Sequence, residues 1–246
     1  MVRLLVTGGA GFIGSNLTDE LVRLGHRVIV IDNLSLGKKE YVNPKAEFHK
    51  LDIRNYKKIK PLFKDVDCVF HLAAQPRIQP SIINPAESFD NNVLGTFNVL
   101  LAAKENKVPK FVYSASSSAY GDQKSLPLKE TMVPHPKNPY ALFKYNGEEM
   151  CKLFYELYGL PVVCLRYFNV YGERQSTEGA YATVIGIFLK QRKLGRPLTI
   201  VGNGNQLRDF TYVGDVVRAN VAAMKFKKAV GQLINIGSGT NYSVNE

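Results

Sequence analysis

A tyrosine and a lysine four residues apart are the first residues in this chain that indicate chemistry. Tyr140 and Lys144 follow Pro139, a residue that suits the first position of a helix. Side chains at this spacing share one helix face, so we expect the Lys144 ammonium beside the Tyr140 phenol, where it favours the phenolate. A reference tyrosine titrates near pH 10, and a base that works near neutrality needs a pKa about three units lower. The pair occurs by chance in many helices, so other elements of a site must support it.

Three glycines near the start of the chain predict a phosphate site. Val2–Val6 is a short apolar run typical of a strand, and helical spacing begins at Ser15. Between them stand Gly8, Gly11 and Gly14. Glycine permits a tight turn and the close approach of a pyrophosphate, and the free N–H groups at the start of a helix attract negative charge. The alternative is a turn that binds nothing.

The second predicted strand ends in an acidic residue. Arg27–Ile31 is apolar and leads into Asp32. A carboxylate at this place accepts hydrogen bonds from an adenosine ribose and disfavours a 2′-phosphate. The succession of strand, glycine turn, helix, strand and acid therefore predicts a dinucleotide site that takes NAD rather than NADP.

The glycine spacing, with two residues in each gap, resembles that of the extended short-chain dehydrogenase/reductase family, whose members mostly rework nucleotide sugars. The resemblance covers the whole chain and implies an α/β fold, a Rossmann-type doubly wound parallel sheet with a small, incomplete substrate-binding lobe. Residues 1–167 are expected to form the NAD-binding Rossmann domain. Residues 168–246 are expected to supply substrate-lobe elements and the last strand and helix of the Rossmann domain. Family members usually continue past Glu246, so the chain is expected to be truncated relative to them.

The resemblance also assigns residues to the cofactor. Asp52 and Ile53 match the dipeptide that meets the adenine, and the alternative for Asp52 is a cap of the helix predicted at 55–63. Small residues at the end of the strand predicted at 68–74 would admit the cofactor, and His71 is expected to be packed rather than catalytic. The expected cofactor residues are Gly8, Gly11, Phe12, Ile13, Gly14, Asp32, Asn33, Asp52, Ile53, Leu72, Ala73, Ala74, Asn91, Ser114, Tyr140 and Lys144.

A serine segment completes the expected catalytic group of Ser116, Tyr140 and Lys144. Aligned on the following Tyr-Gly-Asp, Ser116 matches the family's catalytic serine, whose hydroxyl would bond the reacting sugar oxygen; the alternative is a serine-rich turn. Sugar-nucleotide 4,6-dehydratases carry an Asp-Glu pair where this chain has Ser117 and Ser118, and decarboxylases commonly keep a glutamate at the second place. The resemblance therefore implies oxidation at C4 followed by return of the hydride, as in UDP-glucose 4-epimerases.

Further residues are expected to contact a UDP-sugar substrate, together with Ser116 to Ser118. Asn169 lies in a segment like the family's Arg-x-Phe-Asn-x-Tyr-Gly and is expected at the diphosphate or sugar. Val184 stands near the start of a predicted helix. Arg208 is the best candidate for a diphosphate clamp because a guanidinium pairs with two phosphate oxygens. A surface ion pair with Asp209 is its alternative role.

Composition argues against several other functions. The 246-residue chain has a formal net charge of +11, but its basic residues are scattered without interleaved aromatic platforms, so no nucleic-acid partner is expected. No apolar run approaches the roughly twenty residues that span a bilayer. Neither a membrane partner nor a signal peptide is expected, and the predicted location is the cytoplasm. Three cysteines without paired spacing predict neither a disulfide framework nor a metal site.

The remaining patterns predict strands at 48–51, 110–114, 162–166 and 198–201 and long helices at 86–107 and 140–159. Both long helices carry more apolar residues than one sheet contact needs: Val93, Phe97, Leu101, Phe143, Met150, Phe154 and Leu157. The resemblance implies that these two helices pair with their two-fold mates in a homodimer. The alternative is that all of these residues face the monomer's own sheet.

Two other functions stay open at this stage. One is a dehydrogenase or reductase that uses the same three catalytic residues and exchanges its cofactor freely. The other is a non-catalytic NAD-binding module, because the substrate lobe is incomplete. The sequence also leaves open whether the sugar nucleotide is UDP-glucose, UDP-N-acetylglucosamine or UDP-glucuronate.

Overall fold

The computed structural model describes residues 1–177 and 182–246. Seven parallel strands form the main sheet, in the order β3-β2-β1-β4-β5-β6-β8, and two antiparallel strands, β7 and β9, form a second sheet. The strands are β1 (Arg3–Thr7), β2 (Arg27–Asp32), β3 (Glu47–Lys50), β4 (Cys68–His71), β5 (Phe111–Ser116), β6 (Val162–Tyr167), β7 (Leu207–Arg208), β8 (Leu233–Ile236) and β9 (Tyr242–Ser243). The strand order reverses between β1 and β4, and ligands bind beyond the carboxyl ends of strands at such a point. This arrangement confirms the predicted Rossmann-type sheet.

Helices cover both faces of the sheet. They are α1 (Phe12–Arg23), α2 (Tyr56–Ile59), α3 (Ile78–Ile83), α4 (Pro85–Phe89), α5 (Gly95–Glu105), α6 (Pro139–Tyr158), α7 (Val184–Lys193) and α8 (Val213–Lys225). The central strands are buried on both sides, as the near-continuous apolar runs of parallel sheets require. Leu5 and Val6, for example, point into separate core clusters on opposite faces. The division at residue 167 stays a prediction, although β8 of the C-terminal part completes the main sheet.

The helix predicted over 86–107 is confirmed as a continuous helical path from Pro85 to Glu105, but its hydrogen bonding is not α-helical throughout. A π-helical segment, Asp90–Leu94, separates α4 from α5. Its buried Asn92 accepts a hydrogen bond from Gln75 N at 2.7 Å and donates one to Gln75 O at 3.0 Å. We infer that the wider turn orients Asn92 toward the loop after β4. Such interruptions often occur at functional sites.

Several other element bounds also differ from expectation. β4 ends at His71 instead of continuing to residue 74, and β5 continues to Ser116 instead of ending at Ser114. The prediction of a strand at 198–201 is wrong. In the part of the chain that the structure describes, no strand pairs with this segment. Its apolar side chains, such as Val201, are exposed.

A buried ion pair fastens α6 to the sheet. Arg166 of β6 donates to both carboxylate oxygens of Glu148, at 2.9 and 2.6 Å, and neither side chain is more than 5% exposed. The Arg166 guanidinium also lies 4.4 Å from the Tyr120 ring centroid. Glu148 is one helical turn beyond Lys144, so this contact helps to fix the helix that carries Tyr140 and Lys144.

Replacing Glu148 with glutamine is expected to lower the free energy of unfolding by about 3–5 kcal/mol, because the buried Arg166 guanidinium loses its compensating charge. Urea unfolding followed by circular dichroism measures the change. The matched control is Glu156→Gln on the same helix, whose carboxylate is half exposed and 4.0 Å from Lys152. The control is expected to change stability by less than about 1 kcal/mol. Equal effects of the two substitutions would contradict the role given to the buried pair.

Candidate active site

A deep cleft opens beyond the carboxyl ends of β1, β4, β5 and β6. Its volume is about 1730 Å³, and its wall includes residues from the glycine turn, the serine segment and the second sheet. A drug-sized ligand occupies a pocket of roughly 300–1,000 Å³. The cleft therefore has room for a dinucleotide and a second nucleotide ligand together.

The glycine turn forms one end of this cleft. Gly8 has a φ of +73°, and a Cβ added there would lie 2.7 Å from Ala73 N. A Cβ on Gly14 would lie 2.2 Å from Gly8 O, so a larger residue would displace the turn from α1. α1 begins at Phe12, and the first amides of a helix have no intrahelical acceptor. These amides can bind a pyrophosphate, and Phe12 and Ile13 both line the cleft.

Asp32 is fixed beside the glycine turn. Its carboxylate accepts hydrogen bonds from Ala10 N at 3.0 Å and Leu34 N at 2.8 Å. Burial raises the pKa of this carboxyl group, and the two backbone N–H groups lower it. Its position at the end of β2 on the cleft wall is the one expected for an acid that binds an adenosine ribose.

The residues predicted around the adenine do not all line the cleft. Asn33 and Ile53 line the cleft, whereas Asp52 is not part of its wall. The Asp52 carboxylate accepts from Asn33 Nδ2 and pairs with Arg54 at 2.7 Å, which lowers its pKa to about 2. The alternative role of Asp52 as a helix cap is not seen, because Asn55 caps α2 through Lys58 N. Leu72, Ala73, Ala74, Asn91 and Ser114 also line the cleft.

His71 is packed in the core. It is 1% exposed, and its Nδ1 and Nε2 atoms lie 2.7 and 2.9 Å from the hydroxyls of Thr7 and Thr96. Burial, with a smaller effect of the Lys144 charge, lowers the pKa of His71 to about 3. The ring is therefore neutral near pH 7 and positions the neighbouring strands rather than transferring a proton.

The first turns of α6 place Tyr140 and Lys144 on the cleft wall. Asn138 caps the helix by accepting from Ala141 N at 2.9 Å, and Pro139 stands at its first position. Lys144 is buried and donates to Ser114 O at 2.6 Å. Burial lowers the pKa of Lys144 to about 8. The predicted pair thus lies next to the end of β5.

Ser116 and Arg77 line the same cleft as Tyr140 and act on its phenol. Burial raises the pKa of Tyr140, while a hydrogen bond with the Ser116 hydroxyl and the charge of Arg77 lower it. Lys144 was expected to supply that charge, but the charge that lowers the pKa of Tyr140 is that of Arg77, and the Lys144 ammonium donates to the Ser114 carbonyl. Arg77 was missed, because no short motif joins it to Tyr140. The one available signal was a basic residue three positions after the small residues Ala73 and Ala74, which follow β4.

The predicted substrate residues also line the cleft, with one exception. Ser117 and Ser118 line it, and the Ser116 and Ser118 hydroxyls are 2.8 Å apart. Asn169 also lines the cleft and donates to Asp209 O at 2.9 Å. Val184, the first residue of α7, lies outside the cleft wall.

Arg208 is an exposed residue of β7 on the cleft wall. Its Nη1 atom donates to the Leu207 carbonyl at 2.7 Å. It forms no ion pair with Asp209, whose carboxylate instead accepts from the backbone amides of Ser238 and Gly239. The Arg208 guanidinium therefore retains donors for a phosphate group.

The sequence matches the NAD dependent epimerase/dehydratase family over residues 4–237. This chain belongs to that family. The match confirms the family and the cofactor, NAD, that the sequence analysis predicted. The glycine turn, the open α1 amides and Asp32 form a site that fits NAD.

Similar proteins come from several organisms. A putative UDP-glucose 4-epimerase of Methanocaldococcus jannaschii is 46% identical over 99% of this chain and 79% of its own length. A UDP-N-acetyl-alpha-D-glucosaminuronate decarboxylase of Bacillus cytotoxicus is 38% identical over 99% of this chain and 77% of its own length. The structure of the Thermotoga maritima UDP-glucose 4-epimerase with UDP-glucose superposes with a TM-score of 0.96 at 41% identity, covering 99% of this chain and 79% of that one. These relatives indicate nucleotide-sugar chemistry but include more than one reaction.

None of the helices that the structure describes is both long and apolar enough to span a membrane.

Proposed function

We propose that this protein is a 4-epimerase of UDP-hexoses that works through a 4-keto intermediate. The observation that carries the proposal is that Ser117 and Ser118 line the cleft next to Ser116, at the positions where the resemblance places the carboxyl groups with which dehydratases eliminate water. Among the described residues, the acids on the cleft wall are all engaged elsewhere. Asp32 binds backbone amides beside the glycine turn, Asp122 pairs with Lys137 at 3.0 Å, and Asp209 binds the 238–239 turn.

In this proposal Tyr140 moves the proton. Its phenolate accepts the proton of the C4 hydroxyl, and the Ser116 hydroxyl donates a hydrogen bond to the same sugar oxygen. Lys144 holds the end of β5 in place through Ser114 O. Bound NAD supplies reversible hydride acceptance. Arg208 would hold the diphosphate while the keto sugar turns over, and Tyr140 then returns the proton after the opposite face of C4 has been presented.

Three UDP-sugars test the proposal and distinguish it from its alternatives. The purified protein is incubated separately with UDP-glucose, UDP-N-acetylglucosamine and UDP-glucuronate, and the products are resolved by NMR. Inversion at C4 of at least one sugar is expected. Accumulation of NADH with substrate conversion would indicate a dehydrogenase, and loss of carbon dioxide from UDP-glucuronate would indicate a decarboxylase. Tight NAD binding without turnover of any of them would favour a non-catalytic module.

We also propose that the chain forms a C2 homodimer through α5, α6 and the π-helical segment between α4 and α5. Phe97 and Leu157, both expected on this face, are 40% and 68% exposed, whereas Phe154 is buried in the core. Leu94 and Leu153 add further exposed apolar surface, at 42% and 51%. Surface of this kind on adjacent helices is typical of a protein interface.

Glutamate at both Leu153 and Leu157 is expected to produce a monomer of 27.5 kDa, because charged groups would face each other across the two-fold axis. Sedimentation equilibrium measures the mass. The control is Leu198→Glu, which changes an apolar residue that is 50% exposed outside these helices and is expected to leave the dimer intact. A wild-type protein that sediments as a monomer at high concentration would refute the interface.

A further inference from the structure

Arg77 has an unusual backbone conformation at the edge of the catalytic site. It stands between β4 and α3, and its side chain lines the same cleft as Tyr140. Its φ is +84°, in a region that residues other than glycine rarely adopt. Strained positions of this kind cluster at functional sites, so the conformation points to a use for the side chain.

Hydrogen bonds hold the chain on both sides of Arg77. Before it, Gln75 exchanges two backbone-to-side-chain bonds with the buried Asn92. After it, the Ser81 hydroxyl donates to Ile78 O at 2.7 Å and accepts from the backbone N–H of Tyr140 at 3.0 Å. The segment that contains Arg77 is therefore fastened to the first turn of α6, which carries the catalytic tyrosine.

Within residues 1–177 and 182–246, few charged groups act on the Tyr140 phenol. Arg77, in the loop after β4, and Ser116, at the end of β5, line the same cleft as Tyr140, and the hydrogen bond from Ser116 and the charge of Arg77 both lower the pKa of Tyr140. Lys144 of α6 is bound to Ser114 O, and its pKa of about 8 means that it begins to lose its charge just above neutrality. A guanidinium remains charged throughout this range. Tyr113, a further titratable group that interacts with Tyr140, has a pKa raised well above its usual value by burial and is neutral.

No carboxylate pairs with Arg77 among the described residues, and the one charged-group interaction of its guanidinium there is with Tyr140. Partial burial of a guanidinium costs desolvation free energy, which an ion pair with a carboxylate usually offsets. An interaction with the Tyr140 phenolate would offset this cost instead.

We propose that Arg77 is a second cationic group of this site, a positioning residue that acts through Tyr140 by keeping a permanent positive charge beside its phenolate. The inference deepens the proposed function by naming the group that keeps the base ready at a pH where Lys144 is only partly charged. It concerns the state of Tyr140 in the protein itself, so it can be tested without any sugar substrate.

The test is an ultraviolet titration of Tyr140. The tyrosinate absorbance of the protein, minus that of its Tyr140→Phe variant, isolates this phenol from the other tyrosines. Replacing Arg77 with glutamine, in both backgrounds, is expected to raise the apparent pKa of Tyr140 by about one unit, a tenfold loss of phenolate at fixed pH. Arg77→Lys keeps the charge and is expected to titrate near the wild type. The control, Lys137→Gln, removes a cleft cation paired with Asp122 and is expected to leave the titration unchanged.

A glycine variant separates charge from backbone effects. Glycine adopts a φ of +84° without strain, so Arg77→Gly should fold and show the same shift as Arg77→Gln. The proposal would be overturned if the apparent pKa of Tyr140 in Arg77→Gln or Arg77→Gly equalled that of the wild type. It would also be overturned if Arg77→Lys raised this pKa as much as Arg77→Gln does. The shift in the apparent pKa of Tyr140 supports the role of Arg77 even if no UDP-sugar is epimerised. Failure of the proposed function can therefore be distinguished from failure of this inference. With an active enzyme, the acidic limb of the kcat profile should move by the same amount.

Discussion

Replacing Tyr140 with phenylalanine is expected to lower kcat for C4 epimerisation by about 10²–10⁴-fold, the usual contribution of a positioned base. The substitution removes one hydroxyl from a residue whose backbone is fixed by Ser81 and by the Asn138 cap. The fold and the NAD site should therefore persist. Initial rates with the preferred UDP-sugar, measured by coupled assay or NMR, give the change in kcat.

The matched control for this substitution is Tyr145→Phe, on the same helix but absent from the cleft wall. It should retain wild-type kcat within about a factor of two, because surface substitutions rarely change more than a few tenths of a kcal/mol. Retention of most of the activity in Tyr140→Phe, together with normal NAD binding, would remove Tyr140 from the proton transfer.

Replacing Asp32 with alanine and Asn33 with arginine is expected to shift the affinity ratio from NAD toward NADP by about 10²–10⁴-fold. The change would delete the charge-assisted hydrogen bonds expected between Asp32 and the ribose, remove repulsion of a 2′-phosphate and supply a cation for it, and these effects together are expected to contribute about 3–5 kcal/mol. Asp32 lies on the cleft wall at the end of β2, and Asn33 lies next to it. Titration calorimetry with both cofactors measures the ratio.

The control for the cofactor change is Asp65→Asn, an exposed carboxylate whose left-handed backbone asparagine tolerates. Its ratio of affinities should equal that of the wild type. Equal affinity of the wild type for NAD and NADP would show that Asp32 does not bind the ribose.

Much of the fold, and the end of the cleft that fits NAD, could be predicted from the sequence because the constraints act between residues close in sequence. Gly8 has a positive φ, and Gly14 packs closely against Gly8. Both constraints act between residues that are close in sequence, so the glycine spacing alone reveals them. The apolar run at β2 and its terminal Asp32 likewise lie within one element. Patterns of this kind identify the strand, turn and helix together.

Contacts between distant segments explain what the sequence did not predict. The π-helical turn depends on Asn92 reaching Gln75, and no periodicity in the helix indicates that contact. The charge that lowers the pKa of Tyr140 is that of Arg77, which the fold brings to the same cleft, while Lys144 bonds to Ser114 O. An apolar run such as 198–201 forms a strand only where a neighbouring strand is available to pair with it, and the run itself does not show whether one is.

The most direct test of the proposed reaction uses a UDP-hexose labelled with deuterium at C4. In the epimerase mechanism the same hydride leaves C4 and returns to its opposite face, so the C4 epimer should retain the label while the absorbance of NADH stays constant over many turnovers. NMR of the product and absorbance of the same sample report both quantities. Washing-out of deuterium from C4, or NADH formed in proportion to the sugar converted, would contradict the assignment of this protein as a 4-epimerase.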